Sequence, residues 1–399
     1  MILIFTTHPI QYQIPLWQKL TEKGVDLEVI FLTKHGIEET YDPEFGKRFK
    51  WDINMLSGYK YSFAKVNSNA DVNSFWKVKL KENLIDIIDG REIKAIWIQG
   101  WQVLAYWQIA FQAKKLNIPV WLRGESNALK KNSIVKKVLK FIPMKVFFNK
   151  IKHFLFIGKA NKQYYLDWGV KEDFLHFAPY CIDIERFKNK TEKIKHKRLE
   201  IRKKWNIHPQ AYVFIFSGKL IDKKSPNIIL ESANNISSHH LHILYVGDGY
   251  LRKPLEKIAN IAYLAPEFTD EDPTSTNTEN RTGTKTSFVG FLNQTEISEA
   301  YLAADCLILP SDYGETWGLV VNEAYAHGIP SIVSDRCGSY PDLVQPLEKN
   351  FIFQYGNIQQ LQKSMEFAIT HRQNYNYEIE LINKIYNYQT NIDTICKLI

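Results

Sequence analysis

Residues Ala303–Val344, AADCLILPSDYGETWGLVVNEAYAHGIPSIVSDRCGSYPDLV, read in order as strand, loop, helix, strand and loop. Cys306–Leu309 is a short apolar run stopped by Pro310, the pattern of a strand buried in a parallel sheet. Ser311 to Trp317 is a loop. From Gly318 the residues take helical spacing, with Leu319, Val320, Glu323 and Ala324 on neighbouring faces, until His327 and Gly328 close the helix and Pro330 forbids its continuation. Ile332 and Val333 then begin another strand. Glu315 lies in the loop beside the backbone N–H groups of Gly318 and Leu319, and Glu323 lies more than one turn into the helix. Unpaired amides and the positive end of a helix dipole attract a diphosphate. A carboxylate on each side can accept hydrogen bonds from hydroxyls, Glu315 from a sugar and Glu323 from a ribose diol. Spacing alone more often describes a helix start that favours an acid, with Glu323 on a solvated face.

GETWGLVVNEAYAHGIPSIVSD, preceded by LILPS and followed by GSYPDLV, resembles the donor-site signature of the retaining GT-B glycosyltransferases of family four, the glycosyl transferases group 1. In that family a Glu, seven residues and a second Glu surround an aromatic-Gly-Leu step. Glu315, Trp317, Gly318, Leu319 and Glu323 stand at the matching positions, with Trp317 where Phe is usual. The extent of the match over strand, helix and strand is what makes it specific.

The resemblance implies an α/β chain with the GT-B fold, two Rossmann-like doubly wound parallel-sheet domains facing an interdomain cleft. Residues 1–187 would form the acceptor domain, with a C-terminal helix, 379–399, packing back on it, and 188–378 the donor domain. The implied reaction moves a sugar from a UDP- or GDP-linked donor with retained anomeric configuration. The leaving phosphate deprotonates the acceptor on the same face, so no protein nucleophile, metal or resident cofactor is expected. A nucleotide-sugar epimerase of similar fold and a non-catalytic GT-B nucleotide-binding module are the alternatives.

The length of 399 residues leaves room for two domains, and the apolar share, rich in Tyr, Phe and Trp, supplies cores for both. A formal net charge of +8 points to an anionic partner: nucleic acid, phosphate-bearing substrate or acidic lipid. Cys181, Cys306, Cys337 and Cys396 lack metal-ligand spacing, which fits a reducing compartment. MILIFTTHPIQYQ reads as a first strand rather than a signal peptide, and no run approaches the ~18 apolar residues of a membrane span. A cytoplasmic protein is expected, peripheral to the inner face of the cell membrane if the basic segment described below docks there.

Taken from the start, Ile2–Phe5 and Leu27–Phe31 read as strands, Val78–Ile88 as a helix and Ala95–Ile98 as a strand, the rhythm of a parallel sheet. The loop THPIQYQIPL falls outside the carboxyl end of the first strand, where such sheets hold ligands. In relatives that loop is glycine-rich and touches the diphosphate; carried over, the role falls to His8 and Gln11, with a buried or capping His8 as the alternative. Gln99–Tyr106 opens a helix. Pro119–Leu122 is a strand ending in RGESNALKK, where Glu125 could contact a sugar hydroxyl or assist the acceptor, or only pair with Arg123 to shape the loop.

Lys130–Lys152 alternates lysine with Ile, Val, Leu and Phe, and no acid occurs between Ser126 and Leu166. Solvated lysines on an ordinary helix account for such a run; the acid-free composition with Phe141, Phe147 and Phe148 also resembles an interfacial helix on anionic lipid. Nucleic acid is the other partner of a basic aromatic patch, but no nucleic-acid motif accompanies it, and none is expected to bind. Phe154–Ile157 is a strand, Cys181 stands where the family's closing turn has Asn, and Lys188–Lys204 reads as the linker and first helix of the second domain.

In YVFIFSGKLIDKKSPNIILESA the strand Val213–Ser217 leads through Gly218 into a loop carrying Lys219 and Lys224. Two cations there can neutralise a diphosphate, including the charge that grows as the sugar leaves. The family has Arg or Lys and then Lys five residues on, and both positions match; surface lysines are the alternative, and Ser225 replaces a frequent glycine. The turn Gly247-Asp248-Gly249 serves backbone geometry. Ala265–Ser287 reads as an insertion in which Asp270, Glu271 and Asp272 imitate a metal-binding DxD without a preceding strand. Phe288–Phe291 is a strand end where relatives hold the nucleobase, so Gly290 and Phe291 are candidates for base contact, Phe291 equally for core filling. Phe351–Phe353 reads as a last strand and Ile358–Ile369 as a helix. By resemblance Glu315, Lys224, Lys219 and Glu125 carry the chemistry, and Thr316, Trp317, Gly318 and Leu319 complete the donor site. The acceptor is expected to be a glycan or lipid-linked oligosaccharide on the way to capsule, lipopolysaccharide or another surface glycan.

Overall fold

Short apolar runs alternate with helices to build two all-parallel sheets of seven strands each. The computed structural model describes residues 1–35, 37, 40–42, 47–49, 54–67, 70–72, 74–130, 134–236, 240–265 and 283–399, with backbone alone at 40–42, 47–49 and 134–139. The chain divides into one unit of Met1–Thr40, Phe49–Ile182 and Tyr386–Ile399, and a second of Tyr41–Arg48 and Asp183–Ile385. Among the described residues no helix is long and apolar enough to cross a membrane.

In the first unit the strands lie in the order Lys60–Phe63, Leu27–Phe31, Ile2–Thr6, Ala95–Ile98, Val120–Leu122, His153–Phe156, Leu175–Phe177. Ile2–Thr6 is buried at all five residues, as a strand covered by helices on both faces must be. One face packs Ile14, Trp17 and Leu20 with Tyr388, Ile392 and Ile395; the other packs Tyr106, Ile109, Phe147 and Phe148.

In the second unit the order is Asn260–Leu264, Lys285–Phe288, Leu241–Val246, Tyr212–Ser217, Cys306–Leu309, Ser331–Ser334, Ile352–Phe353. Tyr212–Ser217 and Leu241–Val246 are buried throughout. At the crossing between units, the expected linker residues Lys188–Lys204 are helical and belong to the second unit, within Ile184–Ile194 and Arg198–Lys204.

Three expectations change. Only Leu84–Ile88 of Val78–Ile88 is α-helical, because Leu80 bridges Val66 and its N–H is taken by Gln108 Oε1 at 2.9 Å, while Asn83 and Asp86 form a capping box that starts the helix late. The stretch 379–399 is two helices, Asn376–Ile385 in the second unit and Tyr388–Leu398 in the first. Asn387 makes the break by accepting a cap bond from the Thr390 N–H at 3.0 Å. The insertion read at 265–287 ends earlier, since Lys285–Phe288 is a strand with Thr286 and Ser287 buried; Asp270, Glu271 and Asp272 lie outside the described residues. Lys131–Ser133 of the basic segment also lie outside them, and Ile134–Phe148 forms a helix that stops short of Lys152.

Candidate active site

Strand order selects where each unit holds ligands. In the second sheet the chain winds one way from Tyr212–Ser217 through Leu241–Val246 and the other way through Cys306–Leu309, so the switch point lies between the first and last of these. Ligands bind outside the carboxyl ends of strands at such a point. The loops leaving those two ends are 218–225 and 310–318, which carry the predicted lysines and Glu315.

The first loop is pinned by backbone. Gly218 N–H donates to Val246 O at 2.9 Å, Leu220 N–H to Asp248 O at 2.8 Å, and Gly247 N–H to Gly290 O at 2.7 Å. A Cβ at Gly247 would lie 1.9 Å from Gly218 O, and one at Gly249 2.5 Å from Leu220 O, so the Gly-Asp-Gly turn permits close backbone approach, as expected. Lys219 is half-buried. A 3₁₀ turn, Asp222–Lys224, ends at Ser225 with φ of 45°. That left-handed conformation explains why glycine is frequent here; Ser225 holds it with its hydroxyl, donating to Asp222 O at 3.0 Å and bonding Tyr355 Oη at 2.9 Å.

The second loop is tied to the first. Asp312 N–H donates to Lys223 O at 2.8 Å, and Lys224 Nζ pairs with Glu315 Oε2. Ser311 Oγ donates to the same carboxylate oxygen at 3.3 Å. Glu315 O and Trp317 O accept from Gly338 and Ser339 N–H at 3.1 and 3.0 Å, and a Cβ on Gly338 would lie 1.7 Å from Thr316 O. Gly318, with φ of 93°, then starts the helix Leu319–Ala326, whose first amides have no intrahelical partner. Lysines, carboxylate and helix start thus share one end of one sheet.

Other predicted donor residues have different surroundings. Trp317 is buried, and its Nε1–H donates to Asn322 Oδ1 at 2.9 Å, so its ring is part of the core. Glu323 is 2% exposed, which overturns a solvated face. Tyr301 Oη donates to Glu323 Oε2 at 2.8 Å, and the Tyr301 ring stacks on His327 at 4.7 Å between centroids. Burial pushes the His327 imidazole down to about 4. Gly290 is buried at φ of 73° and Phe291 is half-buried beyond it, next to the Gly247 turn.

The first unit has its own switch point, between Ile2–Thr6 and Ala95–Ile98. His8 there bonds Thr7 Oγ1 through Nδ1 at 3.0 Å and meets His35 edge to face. Burial and then His35 push its imidazole down to about 4, leaving it neutral near pH 7. Gln11 is 8% exposed, and its Oε1 is buried with no hydrogen-bond partner among the described residues. After Val120–Leu122, Arg123 and Glu125 meet at Tyr180. The guanidinium lies 5.0 Å from the Tyr180 ring centre and donates to Pro179 O at 3.3 Å, while Glu125 is hydrogen-bonded to the Tyr180 hydroxyl. Burial, then Glu125, raises the Tyr180 hydroxyl well above its ordinary value. Cys181, where an Asn was expected, accepts from Asn391 Nδ2 at 3.3 Å, and the same amide reaches Pro179 O at 2.8 Å.

Sequence reasoning missed Tyr301, Ser225 as a tether, and Arg336. Each contacts residues distant in sequence, Tyr301 between two helices and Ser225 and Arg336 between loops that the sheet gathers at one end. Ser225 alone left a trace, as a serine at a glycine position.

Residues 197–387 match the family described as glycosyl transferases group 1. Sulfoquinovosyl transferase SQD2 of Arabidopsis thaliana is 30% identical over 157 residues, which are 39% of this chain and 26% of that protein. The chain therefore spans about a quarter of that relative's length. Among solved structures, sucrose-phosphate synthase from Thermosynechococcus elongatus superposes with a TM-score of 0.68 at 14% identity over 100% of this chain and 97% of that one. HepE of Anabaena in complex with UDP-glucose gives 0.63 at 13% identity, over 100% and 98%. At these identities the likeness is one of fold, the GT-B arrangement of paired parallel sheets.

Proposed function

We propose that this chain, which through residues 197–387 belongs to the glycosyl transferases group 1, moves a sugar from a UDP- or GDP-linked donor to a glycan or lipid-linked acceptor with retained anomeric configuration. The observation that carries the reading is the Lys224–Glu315 pair at the switch point, beside the helix that starts at Leu319. UDP-glucose binding by HepE, which shares the fold, supports a nucleotide sugar as ligand.

In this reading the donor's diphosphate displaces Glu315 from Lys224 and is held by Lys219, Lys224 and the amides of Gly318 and Leu319. Negative charge grows on the β-phosphate as the bond from its oxygen to the anomeric carbon breaks. Cations and amides already in place stabilise that charge more than the ground state, and this lowers the barrier. The acceptor oxygen bonds the anomeric carbon from the face the phosphate leaves, and its proton passes to the departing phosphate oxygen. Glu315 accepts a hydrogen bond from a sugar hydroxyl and fixes the ring. Glu323, oriented by Tyr301, receives the ribose, and the Gly290–Phe291 backbone faces the base. The two lysines supply the positive charge, so the mechanism is metal-independent. His8, Gln11 and Glu125 are proposed to serve the acceptor end or the donor sugar.

A membrane-borne acceptor is supported by the helix Ile134–Phe148. Met144, Phe147 and Phe148 face the core, whereas Phe141, Ile142 and Val146 are exposed next to Lys140 and Lys145. Apolar side chains among lysines suit an anionic bilayer surface. We therefore place the protein at the cytoplasmic face of a membrane, in assembly of a surface glycan.

The test is a panel of nucleotide sugars scored by thermal stabilisation and by product mass. A ligand at about 100 times its Kd stabilises by about 2.7 kcal/mol. One nucleotide sugar should stabilise the protein and yield product only with an acceptor present. Product without acceptor would favour an epimerase, binding without turnover a nucleotide-binding module, and no stabilisation by any nucleoside diphosphate would overturn the reading.

A further inference from the structure

We infer that Arg336, clamped between Tyr313 and Tyr355, is a positioning residue that sets the spacing of Lys224 and Glu315; the inference rests on the transfer reaction proposed above. The guanidinium carbon lies 4.5 Å from the ring centre of Tyr313 and 4.2 Å from that of Tyr355. Tyr313 stands two residues before Glu315. Tyr355 Oη bonds Ser225 Oγ at 2.9 Å, and Ser225 directly follows Lys224. The contacts close a ring: Glu315, Tyr313, Arg336, Tyr355, Ser225, Lys224 and back to Glu315 through the ion pair.

Backbone hydrogen bonds pin both loops, and the ring adds side-chain links between them next to the two charged residues. Lys224 precedes Ser225, whose left-handed φ of 45° a serine holds only with help. Two bonds at Ser225 Oγ supply the help, and one of them ends on the Tyr355 of the clamp. Glu315 and Gly314 N–H both turn back onto Asp312, to its O at 3.0 Å and its Oδ1 at 2.5 Å, and the Tyr313 ring lies within that turn. Arg336 belongs to the turn that holds Glu315 O and Trp317 O through Gly338 and Ser339. Tyr355 N–H is fixed in turn by Asp335 Oδ1 at 2.9 Å. One residue therefore ties the cation-bearing loop and the carboxylate-bearing loop to a common turn. An arginine is required because a flat, delocalised cation stacks on aromatic rings from both faces, whereas an ammonium is a point charge on a flexible stem.

The experiment compares the full chain with Arg336→Lys, Tyr313→Phe and Tyr313→Leu. For each, kcat and KM for the nucleotide sugar are measured, with kcat counted per molecule competent to bind UDP or GDP, so that loss of folded protein is not mistaken for loss of chemistry. Loosened spacing should lower kcat about tenfold in Arg336→Lys and Tyr313→Leu while nucleoside diphosphate affinity changes less than about threefold, because Lys219 and the helix amides remain. Tyr313→Phe keeps the ring and should recover most of what Tyr313→Leu loses. A kcat in Arg336→Lys equal to wild type, or a Tyr313→Phe as impaired as Tyr313→Leu, overturns the inference while leaving the transferase reading in place. A wild-type protein that neither binds nor turns over any nucleotide sugar overturns both.

Discussion

Lys224 and Glu315, 91 residues apart in the chain, form an ion pair in which the lysine side chain is 18% exposed and the carboxylate 13%. The pair joins the loops on either side of the second sheet's switch point, and in the proposed reaction each group is the other's substitute for substrate. An anion that takes the lysine frees the carboxylate for a hydroxyl.

Removing either partner should therefore damage both stability and turnover. Lys224→Met or Glu315→Gln is expected to lower transfer by about 100-fold or more, the scale of losing a preorganised electrostatic group. Each single change leaves a mostly buried charge uncompensated and should destabilise by about 1–3 kcal/mol, and the double variant by less than the sum. Thermal melts and initial rates on all four proteins decide it; single variants with unimpaired transfer would remove the pair from the mechanism.

Acid should unfold this protein early. Burial holds His8, His153 and His327 down to about 4 and His242 to about 3, with His35 adding to the effect at His8, and His176 then Lys152 at His153. His153 Nδ1 and His176 Nε2 share one hydrogen bond of 2.8 Å, which only one of the rings can donate. Above the ordinary value of 6.5, folded and unfolded chains both carry these groups neutral. As pH falls below it, the unfolded chain binds protons that the fold refuses, so stability declines from pH 6.5 to about 4. The melting temperature should fall across that window and fall less steeply in His153→Gln. A flat profile there would contradict the burial of these rings.

The exposed apolar side of Ile134–Phe148 makes a separate claim. Ile142 is 71% exposed and Phe141 44%. Vesicles with anionic headgroups should sediment the protein at low salt, neutral vesicles should not, and Ile142→Asp should weaken binding about tenfold, since it exchanges an inserted side chain for a repelled one. Equal partition onto both kinds of vesicle, or none, would refute an anionic bilayer as the partner of this helix.

Much of this architecture is readable in advance. Leu27–Phe31, Ala95–Ile98 and Cys306–Leu309 coincide residue for residue with the strands observed, because strands covered on both faces of a parallel sheet are short and largely apolar, with only Glu28 of the first partly exposed. The lysine loop and Glu315 were legible as motif residues. Their partners were not: Tyr301 lies 22 residues from Glu323 in sequence, and Ser225 lies 130 from Tyr355. Periodicity carries no information about contacts at such separations. It also misled at Val78–Asn83, where an amphipathic pattern was consumed by a bridge to Val66 and side-chain bonds from Gln108. The break at Asn387 was a signal overlooked, since an asparagine followed by a helical run is a cap.

Tyr388, Ile392 and Ile395 complete a core whose other members, Ile14, Leu16 and Trp17 among them, are translated nearly the whole chain earlier. A ribosome emits the entire second sheet before it delivers this closing helix. Until then the nascent first sheet stands with one hydrophobic face incompletely sealed, and its final closure must be a late, long-range step. A chain stopped anywhere in the second unit would thus leave the earlier one unfinished and prone to aggregate, since the eleven residues Tyr388–Leu398 that seal its core follow that unit in sequence.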